Sequence, residues 1–202
     1  PGGGWPRAGL VEVLHDGAGV GEVSLLLPAL KAVAGEGRAV AWINPPHLPY
    51  APALALAGVP LEACLVVRPA SAEEALWSAD QALRSGACGA ALFWLPGKTD
   101  YAWLRRLQMA AESGRVLAVL FRPAAALAQA TPAHLRVLVA QHEGRLLVSL
   151  PKRRGPPLTR PTSAARSSRE GFTEAILAPR STAPRPRARA AATRRVRRRS
   201  ST

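Results

Sequence analysis

Residues 10–34 read LVEVLHDGAGVGEVSLLLPALKAVA. Leu10–Leu14 is apolar and β-branched in the manner of a strand, and HDGAGVG is a glycine-rich turn. Glu22–Ala34 then repeats Leu25, Leu26, Ala29, Leu30 and Val33 at helical spacing. Strand, glycine loop and helix in that order open an α/β unit, and the rest of the chain continues the alternation. Gly35 and Gly37 stop the helix, and Ala39–Ile43 reads as the next strand. NPPHLPY (44–50) is not helical, because its prolines lack donors and fix φ. It presents Asn44, His47 and Tyr50 after the second strand, where doubly wound sheets place binding groups, and its prolines serve equally to cross the sheet edge. Ala51–Ala57 is a short helix closed by Gly58, and Cys64–Val67 a short strand. Ser71-Ala72-Glu73-Glu74 is a capping box opening a helix that runs to Arg84, with Ala72, Ala75, Leu76, Ala79 and Leu83 on one stripe. Ala90–Leu95 and Val116–Phe121 are continuous apolar runs, the mark of strands buried on both faces, and Asp100 caps the helix between them. Leu135–Gln141 and Arg145–Leu150 flank His142-Glu143-Gly144 as a hairpin. The expected fold is α/β: a mostly parallel sheet with helices on both faces and a C-terminal antiparallel hairpin. Core packing is the first expectation for all five tryptophans, at 5, 42, 77, 94 and 103, with an exposed anchor as the alternative for Trp5, beside a turn, and Trp103, on a helix that also carries Arg105 and Arg106.

The 202 residues carry a net charge of +14, and its location matters more than its size. Residues 1–150 hold 12 basic and 11 acidic side chains, whereas residues 151–202 hold 15 and 2. A near-neutral domain over residues 1–155 is therefore expected, followed by a disordered Arg/Pro/Ala-rich tail over 156–202. Pro, Gly or charge interrupts every apolar stretch before the ~18 residues of a membrane helix, so no membrane association is expected. Cys64 and Cys88 do not form a metal-ligand or disulfide pattern, and the four histidines are scattered, so no metal is expected. The chain starts at Pro1 inside a PGGGWP turn, from which a lost N-terminal segment is expected.

A strand, glycine loop and helix is also the geometry of a phosphate-binding loop, G-x-x-x-x-G-K-[ST]. With Gly21 as the second glycine, Asp16 stands where the first belongs, Glu22 replaces the lysine and Val23 replaces the metal-binding hydroxyl. A carboxylate in the lysine's place repels β and γ phosphates, and valine offers no ligand. Ser24, one position on, does not cancel Glu22. Gly17, Gly19 and Gly21 also miss the dinucleotide spacing G-x-G-x-x-G by one residue. The central strand ends in Trp94-Leu95-Pro96-Gly97, without the acid that holds magnesium in ATPases of this architecture. Lys98 and Asp100 read as a loop lysine and a helix cap. No catalytic residue, no cofactor and no ATP hydrolysis are expected.

PGGGWPRAGLVEVL, GVGEVSLLLPAL, VAWINPPHLPYAPAL, EEALWSADQALRSGACGAALFW, LRRLQMAAESG and LLVSLPKRRGPPL together resemble the ImuA family. This is the translesion-synthesis branch of the RecA-like superfamily, itself related to the cell-division inhibitor SulA. The resemblance covers about residues 1–158. It implies a RecA-like core in a bacterial cytoplasmic protein under SOS control, nucleoid-associated when engaged, with a non-catalytic accessory role in translesion DNA synthesis. The partners it implies are an ImuB-like Y-family polymerase homologue, an error-prone polymerase and the RecA recombinase. It also implies G-E-x-S in place of G-K-T, met here by Gly21-Glu22-Val23-Ser24. Two alternatives are a SulA-like inhibitor that binds the division protein FtsZ, and a recombinase-type DNA-dependent ATPase.

The basic residues give a further expectation. Arg194, Arg195, Arg197, Arg198 and Arg199 are suited to non-specific contact with nucleic-acid phosphates, or are simply part of an unstructured arm. Lys152, Arg153 and Arg154 end the last body strand and are either a DNA-facing or partner-facing edge or a solvated strand end.

Overall fold

The computed structural model describes residues 4–17, 19, 21–95, 99–142, 145–153 and 162–164. Eight strands form one sheet: β1 (Gly9–His15), β2 (Ala39–Ile43), β3 (Cys64–Val67), β4 (Cys88–Trp94), β5 (Leu117–Pro123), β6 (Leu135–His142), β7 (Arg145–Lys152) and β8 (Thr162–Ala164). Their order is β3-β2-β4-β5-β1-β6-β7-β8. β1 to β6 pair in parallel, and β7 is antiparallel to both neighbours. This is the mostly parallel α/β sheet with an antiparallel C-terminal hairpin expected from the sequence. The chain leaves β1, crosses to β2, steps outward to β3 and returns to insert β4 and β5. Helix α1 (Leu27–Gly35) lies on one face with α2 (Ala51–Leu56), and α3 (Ala72–Arg84) and α4 (Tyr101–Ser113) lie on the other. β8 adds an element inside the region expected to be tail. The hairpin turn at Glu143 and Gly144 lies outside the described residues.

Two apolar layers hold the sheet. Val11, Val13, Val40, Trp42 and Leu92 meet Leu27, Leu30 and Leu54 on one face, while Leu10, Ala41, Ile43, Phe93 and Leu120 meet Ala79, Leu83, Leu104 and Leu107 on the other. β4 and β5 are buried along nearly their whole length, which is why their sequences are continuous apolar runs rather than alternating ones.

The helix expected from Glu22 begins five residues later. Val23–Leu25 forms one turn of 3-10 helix, and α1 starts at Leu27 with Pro28 in its first turn, where a missing N–H costs nothing. At α3 the Ser71 hydroxyl accepts from Glu74 N–H at 3.1 Å, but the Glu74 carboxylate reaches back to the Ala70 N–H at 2.7 Å, one residue further than a capping box predicts. Asp100 caps α4 through the Trp103 N–H at 2.8 Å. Of the tryptophans, Trp42 is in the core and Trp5, Trp94 and Trp103 are partly buried, but Trp77 is 63% exposed. Its position on α3 falls outside the Ala75, Ala79 and Leu83 stripe that faces the sheet.

Asp80 is the polar member of that helix's buried face. It receives hydrogen bonds from Arg84 at 3.1 Å and Arg106 at 2.8 Å, joining α3 to α4, and Arg106 in turn lies 4.9 Å over the Trp103 ring. Burial acts to raise the Asp80 carboxyl, and the bonds from Arg106 and Arg84 outweigh it, holding the carboxyl below its ordinary range. A carboxylate with a depressed folded pKa binds fewer protons folded than unfolded. Its contribution is therefore complete above about pH 4 and lost as pH falls through the lower folded value. Urea midpoints measured from pH 5 to pH 2 are expected to fall less steeply in Asp80→Asn than in the unchanged chain.

Candidate functional site

The C-terminal ends of the parallel strands gather the residues that the sequence singles out. β1 ends at His15, whose Nδ1–H donates to the Gly17 carbonyl at 2.5 Å and folds the loop back on the strand. Asp16 accepts from the Ala124 N–H at 3.2 Å, tying the loop to the segment after β5. Gly21 has φ +94°, a conformation costly for any side chain. Its carbonyl accepts both the N–H of Ser24 at 3.1 Å and the Ser24 hydroxyl at 2.5 Å. That hydroxyl is committed to the loop's own backbone. Val23 opens the 3-10 turn.

Glu22 is 6% exposed, and its Oε2 is buried without a hydrogen-bond partner among the described residues. A buried carboxylate thus occupies the position from which a phosphate loop extends its lysine. At such a site negative charge meets negative charge in a medium of low polarity, where repulsion is strongest.

Beside the loop is an open cavity of about 560 Å³, lined among others by His15, Asn44, Pro45, Trp94, Phe121 and Arg122. Its wall is aromatic. Trp94 stacks on Phe121 at 4.3 Å and 2°, His15 meets the Phe121 ring edge-on at 6.1 Å, and behind the wall the core residue Trp42 lies parallel to Trp94 at 6.3 Å. Asn44 has φ +53° and is held by its N–H donating to Val67 O at 2.8 Å and its amide Nδ2 donating to Trp94 O at 2.8 Å. Asn44 so joins the ends of β2, β3 and β4. β4 ends at Trp94 and Leu95 follows it, both apolar where a magnesium-binding acid would stand. The cavity offers ring faces, proline surface and a few fixed amide and imidazole groups, which suits packing against a protein or peptide better than holding polyphosphate.

Under the cavity is a buried charge cluster that strand patterning did not reveal. Glu12, on β1, is fully buried; Arg122 on β5 donates to its Oε1 at 2.7 Å and Arg136 on β6 to its Oε2 at 2.6 Å. Arg136 also donates to the carbonyls of Ala126 and Leu127, and Arg122 to Gln129. The three strands are adjacent, with Glu12 directly opposite Arg136. Within LVEVL the glutamate is the one charged residue. Its signal was the arginines at 122 and 136, one closing an apolar strand and one near the start of another.

The two cysteines carry no nucleophilic signal. Burial pushes the Cys64 thiol up, the Trp42 indole draws it down and Glu62 adds to the rise, so little thiolate is present at neutral pH. Cys88 is buried.

The basic residues at the far end of β7 do not join this site. Lys152 is exposed and donates to the Thr131 carbonyl at 2.8 Å, and Arg153 is partly buried with its Nε unpartnered among the described residues. Arg154, Arg194, Arg195, Arg197, Arg198 and Arg199 lie outside the described residues, as does Lys98.

Comparison with known proteins identifies the lineage. The family profile described as "Cell division inhibitor SulA" matches residues 10–118, from β1 into β5. A protein named "Cell division inhibitor SulA" from Edwardsiella piscicida is 40% identical over 119 residues, 58% of this chain and 70% of that one. A crystal structure of SulA from Pseudomonas aeruginosa is 25% identical with a TM-score of 0.46, covering 56% of this chain and 97% of its own. The resemblance read from the sequence joined ImuA to SulA; the family profile and the Edwardsiella relative show the SulA side and not the finer ImuA assignment. The profile spans more than half of the chain and includes the glycine loop, Asn44 and Trp94, and on that match the chain belongs to the SulA cell division inhibitor family.

Proposed function

We propose that the chain is a SulA-type inhibitor of bacterial cell division, made in the SOS response and acting by binding the division protein FtsZ. The family match over residues 10–118 carries this reading. The chemistry of the glycine loop supports it: with Glu22 in the lysine's place and Trp94 closing β4, the core works as a binding body and hydrolyses no ATP. Expression in a strain without SOS induction is expected to give filamentous cells, while the purified chain shows no ATP turnover above background with or without DNA. Normal septation at full expression contradicts the inhibitor reading, and DNA-stimulated turnover contradicts the non-catalytic one.

A second reading is favoured by one observation. β6 and β7 lie beyond the matched span, β7 ends at Lys152 with Arg153 following it, and the two extend the sheet past what the profile covers. This suits an accessory of translesion synthesis that contacts an ImuB-like Y-family polymerase homologue, an error-prone polymerase or the RecA recombinase. Retention of the polymerase homologue by the tagged chain, without filamentation, would select it.

A further inference from the structure

The open side-chain groups of the cavity are acceptors. The Nδ1–H of His15 is engaged by the Gly17 carbonyl, which leaves Nε2 with a lone pair. The Asn44 amide nitrogen is engaged by Trp94 O, which leaves its Oδ1, and Asp16 offers one oxygen to the Ala124 N–H and keeps the other. The donors nearby are committed or covered: Arg122 donates through both terminal nitrogens, to Glu12 and Gln129, and the Trp94 indole N–H is buried. Three acceptors, one of them charged, stand beside the apolar surface of Pro46, Trp94 and Leu95. Their complement is a planar cation with several N–H groups on an apolar stem, which is an arginine side chain.

The chain itself brings arginines to this end of the sheet. β8 is antiparallel to β7 and β7 to β6, so β8 runs with the parallel strands and ends where they end. Ala164 stands opposite Leu146 and Leu146 opposite Gln141, two residues past the Val139 that pairs with His15. β1 and β5 are three and four strands from β8, about 14 and 19 Å away at the usual strand spacing. We infer that the cavity holds an arginine of the chain's own C-terminal segment, Arg185 in Ala183-Pro184-Arg185-Pro186. Twenty residues lie between Ala164 and Arg185. A chain of that length has a root-mean-square reach of about 25 Å, close to the span required, and a tethered ligand is most concentrated at its site when the two match. Of the arginines after Ala164, Arg185 is the one with proline on both sides. Proline fixes its own φ and holds the residue before it extended, so this stretch gives up little freedom on binding. Its guanidinium donates to Asp16, Asn44 and His15 while the two prolines cover Pro46 and Leu95, and the segment so placed closes the cavity to any other peptide. The inference rests on the cavity and the exit of β8, and not on the division-inhibitor reading.

Cross-linking within the full chain tests it. In a Cys64→Ser background, Pro46→Cys at the exposed rim is paired with Ala183→Cys or, as the control, with Ala192→Cys. Under mild oxidation in dilute solution the first pair is expected to form an intramolecular disulfide at least fivefold faster than the second. Arg185→Glu, which leaves every described contact in place, is expected to remove that advantage, and adding Asp16→Lys to restore it. Equal rates from the two pairs overturn the inference, as do a disulfide that forms only between copies and an advantage that survives Arg185→Glu.

Discussion

Glu12→Ala is expected to destabilise the protein by about 3–5 kcal/mol, the cost of breaking a buried ion pair by removing one partner. Both oxygens of Glu12 are engaged by guanidinium groups that are themselves almost wholly buried. Without the carboxylate, Arg122 and Arg136 remain in an apolar setting with like charges facing each other. A domain of this size has about 5–15 kcal/mol of stability in all, so the variant is expected to be partly unfolded at 37 °C. Urea denaturation followed by far-ultraviolet circular dichroism reads the loss. A companion variant separates charge from shape. Replacing all three residues together with apolar ones, Glu12→Leu, Arg122→Met and Arg136→Met, removes the stranded charges and is expected to recover much of the stability. The cluster then matters chiefly for how it fixes the segment after β5, through the Ala126 and Leu127 carbonyls, against the floor of the cavity.

Gly114→Ala is expected to be damaging too, at about 1–3 kcal/mol or more for an overpacked site. Gly114 closes α4 with ordinary helical backbone angles, so the reason is not conformational freedom. A Cβ there would overlap the carbonyl oxygen of Leu83 near the end of α3, and a backbone atom cannot swing aside as a side-chain tip can. The two helices would have to separate, straining the Asp80 link to Arg106 as they part. Gly35→Ala is the control: the added methyl meets nothing within 4 Å outside its own helix backbone and chain neighbours, and its unfolding free energy is expected to stay within about ±0.5 kcal/mol of the unchanged chain, as for a neutral surface change.

Most of the sheet was legible in the sequence because period and punctuation agree. The runs at Ala90–Leu95 and Val116–Phe121 are continuous because both faces of those strands are covered, and Ser71, Asp100 and the glycines mark the helix ends as capping chemistry requires. Three things were not legible. The late start of α1 depends on Pro28 accepting only a first-turn position, which periodicity does not weigh. The burial of Glu12 depends on partners 110 and 124 residues away, beyond any local pattern. The short strand β8 lies in a segment whose composition reads as tail, and it forms only because β7 offers an open edge. At the candidate site the loop substitutions were visible one residue at a time, but the aromatic wall of Trp94, Phe121 and His15 comes from three strands and appears only once they are assembled.

The net charge of the whole chain, read alone, points to nucleic acid. The near-neutral charge balance of residues 1–150 and the family match over residues 10–118 turn attention instead to the core, for which protein binding is the function proposed. The most direct measurement is the sedimentation of FtsZ with GTP in the presence of the purified chain. The account predicts that pelleted FtsZ falls in proportion to added chain, with no ATP required. Full FtsZ polymerisation at a several-fold molar excess of folded chain would contradict it.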